Sequence, residues 1–366
     1  MLKVYNNAEL CLIWLDSFNR LEYKHKLQVF KIIKGAKSIS EALKENRDKL
    51  ILELGAERYS ILTCSATPVY FKFVMDGLKS RGITAVTLES EEYPKDLAGL
   101  EIPPLVLYAK GNLSLLKGKL FSIVGSRKSL PFSIGLAGQI AKNLSKNGFT
   151  IVTGIAEGID KAVIDGVLET NKAPVSVIAG GFDNVYPAVH KNLVDEIIKK
   201  SGLVLTEHTP EVISKPYFFP IRNRIIAGLS RGTLVVSAGK KSGAIYTAEY
   251  CMEYGKDLFA VPFNPGVLSG VGCNDLIKRG AILTESHKDI LEFYGIEESS
   301  PVLSLSEEER AILAVLAESE THVEKIAQKL CKKVVDITPV LSIMEIKGLI
   351  VKTGVNVYGV TVNLEE

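Results

Sequence analysis

A chain of 366 residues with 46% hydrophobic content is long enough for two or three domains with packed cores, which excludes a disordered protein. The formal net charge of +2 places any affinity for nucleic acid in local basic surfaces and not in a basic average. Scattered cysteines with no C-x-x-C pair, and the lack of any run near the ~18 apolar residues of a membrane span, exclude a disulfide scaffold and membrane association, so a reducing cytoplasm is expected.

Residues 1–75 carry helical periodicity, as in Leu10, Ile13 and Trp14 and again in Leu27, Phe30 and Ile33, and predict a small all-helical domain. The apolar run from Leu10 to Leu15 is too short for a signal segment and ends at Asp16. Twelve Lys and Arg against eight Asp and Glu in this stretch are the mild excess of a solvated helical surface.

Residues 76–296 change character. Short β-rich runs at 83–88 and 104–108 are followed by apolar strands at 120–124, 149–152, 175–178, 203–205, 233–236, 258–261 and 281–283. Amphipathic stretches such as 133–147 and 244–254 separate them. This alternation predicts right-handed βαβ units and a Rossmann-like, doubly wound, mostly parallel sheet of the α/β class. A polar connection, Ile296-Glu297-Glu298-Ser299-Ser300-Pro301, leads to a tail at 302–366. Helices are expected there at 306–318, 323–330 and 336–347, with a hairpin at 349–360; three helices and a β-wing predict a C-terminal winged helix. Seven Lys and Arg against ten Asp and Glu make residues 302–366 unfavourable for phosphate and point to a partner-binding role.

Ligands of a doubly wound sheet bind beyond the carboxyl ends of its strands. The loops expected there are Gly125-Ser126-Arg127, Thr153-Gly154, 179–187, 219–224 and 237–243, and all five are expected to converge on one edge. Glycine followed by helix-start amides, with Arg or Lys alongside, suits a phosphate. Between Val212 and Ala248 the basic residues are Lys215, Arg222, Arg224, Arg231, Lys240 and Lys241, with no Asp or Glu, and Tyr217, Phe218 and Phe219 lie among them. A basic groove with aromatic surface is what single-stranded nucleic acid requires.

Catalytic signatures are absent. The first loop reads G-S-R-K-S and not G-x-G-x-x-G, and Gly239-Lys240-Lys241-Ser242 lacks the upstream glycine of a G-x-x-x-x-G-K-[ST] loop. There is no strand-to-helix G-x-S-x-G elbow, no H-E-x-x-H and no acidic metal cluster, and the five histidines are dispersed, so neither cofactor nor metal is expected. Asp160 and Asp183 lie near strand ends, where a helix-start carboxylate and a turn residue account for them.

Several motifs, in this order and spacing, together resemble the DNA processing protein A (DprA/Smf) family over about residues 75–290. They are Val124-Gly125-Ser126-Arg127, Gly158-Ile159-Asp160, and Gly180-Gly181-Phe182-Asp183 with Tyr186-Pro187 and His190. Next come Phe219-Pro220 with Arg222-Asn223-Arg224-Ile225-Ile226-Ala227-Gly228-Leu229-Ser230, then Ser242-Gly243 with Thr247-Ala248, and Ala260-Val261-Pro262. The resemblance implies a cytoplasmic homodimer, without catalytic activity, that coats incoming single-stranded DNA and loads a RecA-type recombinase in natural transformation. It also implies a helical N-terminal module similar to sterile-alpha-motif or helix-hairpin-helix folds. Carried over, the DNA-binding residues would be Ser126, Arg127, Gly154, Arg222, Asn223, Arg224, Lys240, Lys241, Ser242 and Gly243.

The chain departs from the family pattern at Glu157, Ile164 and Ser237, and Glu157 is expected to weaken anion affinity at the second loop. The alternative readings are a Rossmann-like enzyme hydrolysing N-glycosidic bonds of nucleoside monophosphates, whose Pro-Gly-Gly-x-Gly-Thr loop is absent, and a transcription regulator acting through the winged helix.

Overall fold

The computed structural model describes residues 3–298, 305–317, 319–347 and 349–360. Residues 299–304 and 361–366, with Glu318 and Gly348, lie outside the described residues; they include part of the expected connection and the last residue of the first expected tail helix. Two compact units divide between Glu298 and Ser299.

In the first unit, six helices precede the sheet: Asn7–Asp16, Tyr23–Ile33, Ile39–Glu45, Arg47–Leu54, Ala56–Ser65 and Pro68–Ser80. Their ends follow ordinary capping chemistry. Asn6 and Glu9 form a reciprocal capping box, and Thr67 caps the sixth helix just before Pro68, whose missing N–H costs nothing at that position. Nine strands then form one sheet: β1 (Thr84–Thr87), β2 (Val106–Gly111), β3 (Lys119–Gly125), β4 (Phe149–Thr153), β5 (Val175–Val177), β6 (Leu203–Thr206), β7 (Gly232–Ser237), β8 (Asp257–Ala260) and β9 (Ile282–Leu283). Every expected strand is present.

The spatial order is β1-β2-β6-β5-β4-β3-β7-β8-β9. The seven strands from β6 to β9 along this order are parallel, and β2 joins them antiparallel at β6. Leu120–Val124 and all of β7 are buried, as near-continuous apolar strands covered on both faces should be. One face packs Ile225, Ile226 and Leu229 of helix Phe218–Leu229 together with Ala248 and Cys251 of helix Gly243–Glu253. The other packs Ala137, Ile140 and Leu144 of helix Pro131–Lys146 and Val163 and Val167 of helix Ile159–Leu168. The sheet is therefore doubly wound.

The helical segment continues to Ser80, past the expected boundary at residue 75, and does not stand apart from the sheet. Leu12, Trp14 and Leu15 share one buried cluster with Ala85, Val106 and Tyr108 of β1 and β2. Tyr108 also donates its hydroxyl hydrogen to Asp16 at 2.9 Å, and Asp16 pairs with Lys26 at 2.9 Å.

The second unit contains helices Glu307–Leu316, Val323–Lys329 and Val334–Ile346 and a sheet of order β10-β12-β11, from Thr321–His322 (β10), Ile350–Gly354 (β11) and Val357–Val360 (β12). Helices and a hairpin occupy the stretches expected to hold them, and the two-residue β10 carries no sequence signal of its own. Ile312, Ile326, Ile337 and Leu341 form its core.

Trp14→Ala is expected to cost about 3–5 kcal/mol, as for truncation of a buried aromatic in a core that cannot collapse. Because Trp14 packs in the cluster that includes β1 and β2, urea unfolding followed by far-UV circular dichroism should show the whole first unit losing stability in one transition. A strand-rich transition left at its original midpoint would mean that the N-terminal helices fold independently.

Candidate nucleic-acid interface

The sheet order fixes where a ligand can sit. From β3 the chain winds through β4, β5 and β6 to one side, and from β7 through β8 and β9 to the other, so no helix crosses above the adjacent carboxyl ends of β3 and β7. The pairing slips there, with Val124 opposite Val235 but Gly125 opposite Ser237, and the Ser126 N–H still reaches the Ser237 carbonyl at 2.8 Å. A cleft of about 640 Å³ opens at this point.

Of the residues expected on sequence grounds, Ser126, Arg127, Arg222, Asn223, Lys241, Ser242 and Gly243 line the cleft. The first two come from the loop after β3 and the last three from the turn between β7 and helix Gly243–Glu253. These two loops are joined by the hydroxyls of Ser126 and Ser242, 3.0 Å apart. Ser242 also accepts from the Ala244 N–H as the N-cap of that helix.

The floor is a buried polar chain. Arg222 is 5% exposed, donates through Nη1 to the Val177 carbonyl at the end of β5, and donates through Nε to Asn223 Oδ1 at 3.1 Å. Asn223 Nδ2 continues to the Gly243 carbonyl at 3.1 Å. Burial lowers the Arg222 guanidinium to about 10, partly offset by Asp160. Asp160, 6% exposed, accepts the Ala156 N–H at 3.2 Å. Burial raises its carboxyl above the ordinary range, opposed chiefly by Arg222.

Gly154 does not line the cleft, but a Cβ there would lie 2.3 Å from Asp160 Oδ2 and 2.8 Å from Arg222 Nη2, so only glycine lets the pair close over β4. Gly158 adopts φ +79°, and a Cβ on it would stand 2.4 Å from the Arg127 carbonyl, which is how the first loop approaches the start of helix Ile159–Leu168.

Above the floor, Arg127, Lys128 and Lys241 are exposed, and among the described residues none forms an ion pair. The Arg127 guanidinium lies 4.8 Å from the centroid of Phe219, and Phe219 meets Tyr186 edge to face at 5.7 Å. Tyr246, 49% exposed, adds a further ring to the rim.

The remaining expected residues are placed elsewhere. Arg224 is 8% exposed and pairs with Glu207 at 2.5 Å, away from the cleft lining. Lys240 is exposed on the turn without lining the cleft. The basic segment from Val212 to Ala248 does not form one patch either, since Arg231 lies 3.7 Å over the Tyr294 ring beyond the amino end of β7. Phe218 turns towards the N-terminal helices and stacks on His208 at 4.2 Å.

Glu157 directs its carboxylate to His190 Nε2 at 2.9 Å and does not line the cleft. Ile164 is core, and Ser237 donates to the Ser269 carbonyl at 3.1 Å. Asp183 pairs with Arg81 at 2.9 Å. Lining residues outside the expected DNA-binding set include Lys128, Thr247, Leu268 and Ser269, of which Thr247 figures in the sequence only as part of a family motif. Lys128 was legible as the next cation in the first loop. Leu268 and Ser269 belong to the connection after β8 and carry no charge or motif, so only the adjacency of β8 to β7 brings them in.

The sequence model of the DNA recombination-mediator protein A family matches residues 84–295. The DNA processing protein DprA of Bacillus subtilis is 37% identical over 223 residues, 60% of this chain and 74% of that protein. DprA of Streptococcus pneumoniae is 40% identical over 201 residues, 54% of this chain and 70% of that protein. The crystal structure of Streptococcus pneumoniae DprA superposes with a TM-score of 0.60 at 30% identity, covering 79% of this chain and 98% of that one. A structure described as showing the single-stranded DNA binding mode of Helicobacter pylori DprA superposes with a TM-score of 0.53 at 27% identity, covering 58% of this chain and 95% of that one.

Arg222→Met leaves Asp160 as a buried charge without its counter-ion and is expected to cost about 3–5 kcal/mol. A carboxyl whose folded pKa lies above its unfolded value loses stability as pH rises between the two, and removing Arg222 widens that interval upward. Urea unfolding should therefore show a larger deficit near pH 8 than near pH 5, and adding Asp160→Asn should recover part of it and flatten the pH dependence. A deficit independent of pH would mean that Asp160 does not depend on Arg222.

Proposed function

This chain belongs to the DNA recombination-mediator protein A (DprA/Smf) family, and from that premise we propose that it binds single-stranded DNA in the cleft at the carboxyl ends of β3 and β7. The observation that carries the proposal is the set of exposed cations that pair with no carboxylate among the described residues, Arg127, Lys128 and Lys241, held over a cleft whose rim presents Phe219 and Tyr246. Cations on two separate loops can each neutralise a backbone phosphate while the rings stack on bases of any identity, which makes binding insensitive to sequence. The single-strand binding mode described for the Helicobacter pylori relative supports the same ligand.

In this reading Ser126, Ser242 and Gly243 shape the phosphate position, Arg222 and Asn223 brace it from below, and Gly154 permits the floor to close. Lys240, exposed on the same turn, contacts DNA running past the cleft. Arg224 acts through its Glu207 pair as a structural residue. The protein works as a recombination mediator, in the cytoplasm and as a homodimer, delivering bound single strands to a RecA-type recombinase during natural transformation. The C-terminal unit, read as a winged helix, serves partner binding. No nucleotide chemistry belongs to this reading, because N-glycosidic hydrolysis needs a carboxylate that can reach a bound nucleotide, whereas Asp160 is buried and committed to Ala156 and Arg222.

Arg127→Ala, Lys128→Ala and Lys241→Ala should each weaken oligonucleotide binding alike for different sequences. Each should also flatten the log K versus log salt slope by about 0.7, with the melting temperature unchanged because these side chains are exposed. Arg224→Ala should do the reverse, lowering the melting temperature and leaving the slope alone. Fluorescence anisotropy over a salt series decides between them; a wild-type slope in all three of the first group would remove the cleft from the DNA path. A chain ending at Glu298 should bind within a few-fold of the full chain, and a hundredfold loss would give the C-terminal unit a direct role in DNA binding.

A further inference from the structure

Asp160 is out of place in a cleft built for anions. It lies in the first turn of helix Ile159–Leu168, 94% of it hidden, and contributes to the lining alongside Arg127 and Arg222. Its Oδ2 takes the Ala156 N–H at 3.2 Å, in the loop that leads into that helix. The glycine at position 154 preserves this arrangement, since any side chain there would collide with Asp160 and Arg222 together. A negative charge is thus held, by its own chain, in the floor of a cleft whose exposed side chains are cationic.

The consequence follows from charge. Attraction to Arg127, Lys128 and Lys241 grows in proportion to the charge on the ligand, so a cleft with cations alone would favour the doubly charged monoester of a free nucleotide over the singly charged diester of a DNA backbone. Repulsion by a fixed carboxylate grows in the same proportion and cancels part of that preference.

We propose that Asp160 is a specificity-determining residue of this cleft, whose carboxylate, fixed in the floor beneath the cations, lowers affinity for phosphomonoesters more than for backbone diesters. The proposal rests on the reading of the cleft as the phosphate site. It gives the buried acid a role without any catalytic step, and it explains how an exposed basic cleft holds free nucleotides less tightly than its cations alone would.

Competition against a fluorescent oligonucleotide tests it, with the thymidine dinucleotide TpT as the diester probe and 5′-dTMP as the monoester probe, using the full chain and its Asp160→Asn variant. Because the repulsion is linear in ligand charge, the gain for the dianion is the square of the gain for the monoanion. If TpT binds about threefold more tightly to Asp160→Asn, dTMP should bind about tenfold more tightly at pH 8. Near pH 5 the monoester carries a single charge, since its second pKa is about 6, and the two gains should converge.

Equal gains for both probes at pH 8, or no gain, would overturn the proposal and leave Asp160 as a structural partner of Arg222. Should Asp160→Asn fail to fold, Asp160→Ser takes its place, and the same relation between the two gains must hold at pH 8. Failure of TpT to displace the oligonucleotide from the wild-type chain at any concentration would instead sink the phosphate-site reading, and this proposal with it.

Discussion

The reversal of winding direction between β3 and β7 is the constraint on which the rest of this structure depends. Right-handed crossovers send every helix on one side of β3 away from every helix on the other, which leaves two neighbouring strand ends uncovered. The loops that emerge there are short because each feeds directly into a helix, and so their backbone amides and side chains are held by rigid elements. Pairing slips between Val124 and Gly125, and beyond the slip the Ser126 N–H bond to the Ser237 carbonyl and the Ser126–Ser242 hydroxyl contact tie the two loops together.

Burial then sorts the basic residues into two chemically different groups. Arg222 is enclosed and hydrogen-bonded to a strand-end carbonyl and to Asn223, so its charge is spent on the floor and on Asp160. Arg127, Lys128 and Lys241 remain hydrated and available. A phosphate can exchange with their water at little cost, whereas recruiting Arg222 would mean breaking buried bonds. The aromatic groups divide similarly. Phe219 takes the cleft side with Arg127, while Phe218, one residue earlier on the same helix, belongs to the contact with the N-terminal helices.

The N-terminal helices bear on this arrangement through a shared core. They pack on the side chains of β1 and β2, and at the open edge of β1 the Ala85 N–H is taken by the Tyr5 hydroxyl at 2.9 Å, just before the first helix. The Tyr108–Asp16–Lys26 chain adds a directional contact to that apolar surface. The second unit, by contrast, closes its own core around Ile312, Ile326, Ile337 and Leu341.

The alternation of apolar runs with amphipathic stretches was enough to place all nine strands of the sheet, because a strand buried on both faces must be almost wholly apolar and a helix covering it must be apolar on one side. Glycine beside Ser126, Arg127 and Lys241 also marked the loops that meet, since close backbone approach leaves a signature in residue type. What the sequence could not decide was the direction of each side chain within those loops. Arg222 and Arg224 are two residues apart on one helix, which turns them to different faces, and so the one reaches the cleft floor while the other meets Glu207. The residues after β8 entered the cleft through strand adjacency alone, and Asp160 became part of its floor only because three distant segments close around it. Local pattern encodes elements and their buried faces; the partners of a charged side chain depend on which segments the tertiary fold brings within a few ångströms, and no local pattern carries that.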